Sequence, residues 1–119
     1  MKGVDAYREA AVTTQSKGRL IVMLYDGAIK FLKQAIVNIE GKDYEGKGRN
    51  IGKAQNIILE LNTVLDMESG GEVAKNLRSL YNFMYRHLGQ ANMKCDSQMI
   101  REVIKLLEDL NQSWRVITS

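Results

Sequence analysis

Any covalent chemistry in this chain would have to come from very few side chains. There is one His, His87, and one Cys, Cys95, among 119 residues. A hydrolase relying on a His base would have to use His87. A dinuclear carboxylate centre on helices needs Glu-x-x-His pairs on two of them. The residue three before His87 is Met84 and no second His exists, so that centre is excluded. Cys95 has no partner for an internal disulfide and reads as a small buried apolar residue, in keeping with a reducing compartment. Asp66 and Glu68 sit at a helix end, and Glu102, Glu108 and Asp109 mix with Arg101 and Lys105 as on a solvated helix face. Gly70-Gly71 follows no strand and reads as a connector between helices rather than a phosphate loop. The sequence thus points to no catalytic residue, no metal and no cofactor.

The informative signal is apolar patterning. Leu20 to Leu32 is too long and too helix-forming for a buried strand, and Pro is absent from the whole chain. At 3.6 residues per turn Leu20, Leu24, Gly27 and Phe31 form one stripe, and Ile21, Tyr25, Ala28, Leu32 and Ala35 a second beside it. Val22, Ile29 and Val37 fall where Asp26, Lys30 and Lys33 should own the surface. The second helix carries Ile51, Ala54, Ile58, Leu61 and Leu65, widened by Ile57 and Val64. Asp43 is its expected N-cap, and Gly46, Gly48 and Gly52 should leave its first half loose. The third carries Val73, Leu77, Leu80, Met84, Leu88 and Ala91, with Tyr81 and Tyr85 on its flanks. The fourth, capped by Asp96 or Ser97, repeats Ile100, Val103, Leu107, Leu110, Trp114 and Ile117 at steps of three and four.

Helical spans are expected at 16–40, 43–66, 71–94 and 97–117. Helices joined by connections this short run antiparallel to their neighbours. The fold class is therefore all-α: one domain over residues 1–119, an antiparallel up-down-up-down four-helix bundle with a short N-terminal helical arm at 1–15. Ser16 is the expected start of the first long helix. Val4, Tyr7 and Ala11 give the arm one apolar side, too short for a stable helix alone.

The net charge of +3 comes from 17 basic and 14 acidic residues that alternate along the chain. A nucleic-acid surface needs basic residues gathered on one face, so no nucleic-acid partner is expected. The Leu20–Leu32 stretch is too short and too charged to enter a membrane, and the N-terminus has no apolar signal core, so a cytoplasmic location is expected. Apolar residues on more than one face of the first three helices point to an interaction protein. From periodicity alone, a homodimer or a well-wrapped core would account for them equally.

Leu20-Ile-Val-Met-Leu-Tyr-Asp-Gly-Ala-Ile with Phe31-Leu32, Lys53-Ala-Gln-Asn-Ile-Ile58 with Leu61 and Leu65-Asp66, and Gly70-Gly-Glu-Val-Ala-Lys-Asn-Leu77 with Leu80-Tyr81 and Tyr85-Arg86 resemble the flagellar export chaperones of the FliS family. Val4 and Tyr7 look like that family's N-terminal apolar and Tyr positions. The family usually has Ser-Pro where this chain has Ser16-Lys17. The resemblance implies a chaperone that binds the C-terminal segment of flagellin and prevents its premature polymerisation. It also implies handover, as the complex, to a membrane protein of the export gate of the flagellar type III secretion apparatus. Without client the chain would be a monomer or weak homodimer. The alternative is a self-associating helical-bundle adaptor with no flagellin client. The residues expected to meet a client are Val4, Tyr7, Leu24, Tyr25, Ile29, Leu59, Tyr81 and Tyr85.

Overall fold

The computed structural model describes the backbone of residues 2–118 and the side chains of residues 17–116. Four helices make up the described chain: α1 (Lys2–Glu40), α2 (Tyr44–Thr63), α3 (Gly71–Lys94) and α4 (Ser97–Thr118). Each packs against two others: α1 lies beside α2 and α4, and α3 beside the same pair, so α1 and α3 face each other diagonally. Hydrogen bonds cross three of the seams. Asn38 meets Asn50 between α1 and α2. Lys47 reaches the Asn92 carbonyl and Gln55 the Tyr85 carbonyl between α2 and α3. Asp26 meets Asn111 while Lys33 meets Glu108 between α1 and α4. Along the α2–α3 and α1–α4 seams the pairs run in opposed order, and the all-α four-helix bundle expected from periodicity is what forms.

The core follows one of the two stripes on α1: Tyr25, Ala28, Leu32 and Ala35 are buried, while Leu20 is exposed. On α2, Ile51, Ala54, Ile58 and Leu61 face inward as their spacing predicts. The α3 stripe is rotated from the expected one. Val73 points out, and Ala74 and Tyr81 point in with Met84, Leu88 and Ala91. On α4, Ile100, Val103 and Leu107 are fully buried, joined by Ile104, and Leu110 and Trp114 pack on the edge of the core.

Two expectations about helix ends change. The backbone is helical without interruption from Lys2 to Glu40, so Ser16 starts no helix; the arm is an extension of α1. A 39-residue helix spans about 58 Å at 1.5 Å per residue, so α1 runs the full 58 Å length of the molecule. The start of α2 is pinned rather than loose. Asp43 caps it by accepting from the Gly46 amide, Asn38 donates to the other Asp43 oxygen, and Asn50 donates to Asn38. Lys47, only 8% exposed, donates to the Asn92 carbonyl at the end of α3. Glycine at 46 leaves room for this cap, because a Cβ there would displace the Asp43 carboxylate and the Asn38 amide. At the other end α2 stops at Thr63, three residues early, leaving Val64 and Leu65 in a turn. Asp96 caps α4 through the amides of Gln98 and Met99.

A candidate binding cavity at one end of the bundle

The early stop of α2 opens the bundle at the end where α1 continues past its neighbours. A cavity of about 250 Å³ sits there, with walls that are almost wholly apolar. Its sides are Ile21 from α1, Leu61 and the turn residues Val64 and Leu65 after α2, and Leu77 from α3. Tyr81 and Trp114 line it too, and Lys17 and Asp66 contribute its charged groups. Val73, at its edge, is 68% exposed and extends the apolar surface outward. An apolar cavity open at the end of a small bundle is a site for something apolar.

The turn that frames the cavity is held by Asp66. Its carboxylate accepts from the amides of Glu68 and Ser69 and from the Ser69 hydroxyl, and its carbonyl accepts from the Gly70 amide. The Ser69 hydroxyl, with the Ser69 amide next, holds the Asp66 carboxyl below the usual carboxylate range. Gly71 follows with φ +55°, the left-handed conformation that costs a side-chain-bearing residue most. Thus the paired glycines serve the turn, as their position between two helical patterns suggests.

Behind the cavity wall lies a polar junction. The Tyr25 and Tyr81 hydroxyls are 2.5 Å apart across the α1–α3 diagonal, and the indole N–H of Trp114 donates to Tyr25. Burial pushes the Tyr25 phenol up, opposed by the donors Tyr81 and Trp114, and pushes Tyr81 up further, reinforced by its bond to Tyr25.

The eight residues expected to meet a client do not share one place. Tyr25 and Tyr81 are 0% and 1% exposed, so neither ring is open at the surface; the junction just described draws both inside. Leu24 and Ile29 are half-buried against the core. Ile29 also borders a mostly polar groove between α1 and α4, lined by Asp26, Lys33 and Glu108. Leu59 and Tyr85 are exposed on α2 and α3. The side chains of Val4 and Tyr7 lie outside the described residues. Sequence reasoning missed Ile21, Leu61 and Leu77 as cavity residues because each also fits a core stripe. The one signal was local: Val64 and Leu65 stand directly before a turn sequence.

His87 has a structural environment. Its Nε2 is 2.8 Å from Glu102 and its ring stacks on Phe83 at 4.9 Å between centroids. Among the described residues no three His, Cys, Asp or Glu side chains gather as a metal site would need.

The family described as flagellar protein FliS matches residues 1–119. The chain belongs to the FliS family. It is 41% identical over 110 residues to the flagellar secretion chaperone FliS of Bacillus subtilis (strain 168), covering 92% of this chain and 81% of that one. It is 43% identical over 121 residues to the flagellar secretion chaperone FliS of Salmonella typhimurium, covering 98% and 90%. The relative of that name in Campylobacter jejuni is 34% identical over 113 residues, covering 95% and 88%. No helix among the described residues is long and apolar enough to cross a membrane.

Proposed function

We propose that this FliS-family chain is a cytoplasmic, non-enzymatic chaperone that binds the C-terminal segment of flagellin, prevents its premature polymerisation and keeps it competent for export. The observation that carries the reading is the apolar cavity, with Val73 exposed at its edge. Flagellin's C-terminal segment is amphipathic and built to pack against other subunits, so a free copy self-associates. Burying its apolar side against the cavity offsets the entropy of ordering it, with no nucleotide required. Leu59 and Tyr85 extend the contact along α2 and α3, and the loaded complex is what the export gate recognises. Residues 1–15, with Val4 and Tyr7, act as a movable cover of the cavity that also touches the client, a role that requires α1 to bend near Ser16 away from its straight extension.

Calorimetric titration of a flagellin C-terminal fragment tests this, using the full chain, a Val73→Glu variant, Tyr7→Ala and a chain lacking residues 1–12. Val73 is exposed, so a charge there leaves the fold intact while burying badly under an apolar client. Binding to the full chain, weakened by Val73→Glu, is the expected result. Absence of binding to the full chain would overturn the client assignment. Equal affinity for Val73→Glu would move the client to another face, and equal affinities for the two arm variants would remove the arm from the site.

A further inference from the structure

The charge of this chain is concentrated on one helix. α3 carries Lys75, Arg78, Arg86 and Lys94 against a single acid, Glu72 in its first turn. That excess equals the net charge of +3 of the whole sequence, so the rest of the chain balances. Past Glu72, which pairs with Lys75, no carboxylate interrupts the helix. Arg78 and Arg86 are exposed, and neither forms an ion pair among the described residues. Phe83 lies on the same helix, 40% exposed and stacked on the His87 ring. A groove of about 400 Å³ runs past it between α3 and α4, with Leu106 as its second apolar side chain. Glu102, the one acid of the groove, is engaged by His87 at 2.8 Å. Its cations are Arg101 and Lys105, each in one ion pair, with Glu40 and Asp109, and each more than half exposed. A guanidinium has five N–H donors and an ammonium three, so both keep donors for a further acceptor. Arg86, three residues after Phe83, adjoins it on the α3 surface. None of the groove residues lines the apolar cavity.

We propose that the α3–α4 groove is a second docking site, separate from the apolar cavity and independent of the client reading, for an acidic amphipathic helix of another protein. A groove between two packed helices accepts a third through apolar side chains three and four residues apart. That apolar row packs on Phe83 and Leu106. Carboxylates on either side of it meet Arg86 on α3 and Arg101 and Lys105 on α4, in charge-assisted hydrogen bonds. The unbalanced charge of α3 also favours encounter with an acidic partner over a basic one. A second copy of this chain does not supply such a helix, because none of α1, α2 and α4 has an excess of acids. Nucleic acid fits less well. One face of the Phe83 ring is covered by His87, which leaves it a poor platform for bases, and Glu102 would stand beside the phosphates.

The probe is a capped helical peptide of Leu, Ala and Glu, with a counterpart in which every Glu is Lys. Each is titrated by NMR into the full chain, Phe83→Ala, Arg86→Glu and Lys30→Glu. The Leu106 methyls report on the groove and the Leu77 methyls on the cavity. Arg86 is exposed and unpaired, so its reversal leaves the fold intact; Lys30, exposed on α1, makes the same change of net charge elsewhere. The acidic peptide should shift the Leu106 methyls and bind about three- to tenfold weaker to Arg86→Glu. Phe83→Ala should weaken it by about tenfold or more, Lys30→Glu should leave it near wild type, and added salt should weaken it throughout. Equal binding of the Lys peptide would overturn the proposal, as would equal affinities of Arg86→Glu and Lys30→Glu. An acidic peptide that moves Leu77 and not Leu106 would also overturn it, by placing the peptide in the cavity. Two further results would give the groove to another occupant and overturn it. One is a single-stranded oligonucleotide shifting Leu106 where the acidic peptide does not. The other is a Leu106 shift that grows with protein concentration alone, which would make the groove a contact between copies of this chain.

Discussion

The Asp26 carboxylate holds the side-chain amide of Asn111 across the α1–α4 seam, at 2.7 Å from Oδ1 to Nδ2. The same carboxylate accepts two hydrogen bonds from Arg115, at 2.7 and 2.6 Å. The two contacts differ in what surrounds them. Arg115 and Asp26 are about half exposed, whereas Asn111 is 5% exposed and its Oδ1 has no partner among the described residues. Arg115→Ala should therefore cost at most about 1 kcal/mol, the range of solvent-screened ion pairs. Asp26→Ala should cost about 2–3 kcal/mol, because it leaves both ends of a buried amide unpaired. Urea unfolding at constant slope separates the two. Equal losses would show that the ion pair, not the amide, is what Asp26 supports.

Glycines in α2 should respond in opposite directions to the same substitution. In an exposed helix interior, Gly→Ala stabilises by up to about 1 kcal/mol. Gly52 has open space where a Cβ would be, so Gly52→Ala should follow that rule. At Gly46 the Cβ would displace the Asp43 carboxylate and the Asn38 amide, breaking the cap and its support. Gly46→Ala should thus destabilise by about 1–2 kcal/mol, the size of a lost N-cap. Thermal unfolding of the two variants gives the signs directly.

That contrast shows where the sequence was legible. Spacing locates the α4 stripe as far as Trp114 because its buried half, Ile100, Val103 and Leu107, faces one continuous core; the Ile117 side chain lies outside the described residues. Helix propensity misjudged the start of α2, since it cannot see that Gly46 makes room for a cap and that Lys47 is drawn in by the end of α3. The tyrosines were misplaced for a related reason. A phenol on a helix flank reads as half-exposed until its hydroxyl has a buried partner, and Tyr25 and Tyr81 are 56 residues apart in sequence. The cavity has no periodic signature at all. It takes one or two residues from each of several helix ends, and it exists because α2 stops at Thr63.

The same tyrosine pair sets the alkaline limit of stability. Burial raises both phenols above their ordinary range near pH 10, so the unfolded chain loses these protons before the folded one does. The stability they contribute is complete below about pH 10 and falls as pH rises beyond it. Phenolate absorbance followed against helical circular dichroism checks this. Two of the five tyrosines should ionise only as the helical signal is lost. Ionisation of all five with the helices intact would place the pair in contact with water.

Trp114 is the only tryptophan and stands between the core and the cavity. Its two roles separate by substitution. Trp114→Phe keeps most of the packed ring but removes the N–H that donates to Tyr25, so it should cost about 1 kcal/mol. Trp114→Ala removes the ring as well. The residue is half-buried rather than enclosed, which places the cost near about 3 kcal/mol, the lower end for large aromatic deletions. Because no other indole contributes, its emission also reports on the cavity directly. An apolar segment seated against Ile21 and Leu77 excludes water from the ring, so saturating flagellin fragment should shift the emission to shorter wavelength. The same titration on Val73→Glu should show a smaller shift at equal fragment concentration, in step with its weaker binding. Calorimetric binding with unchanged Trp114 emission would mean that the fragment occupies the Leu59 and Tyr85 surface and leaves the cavity open.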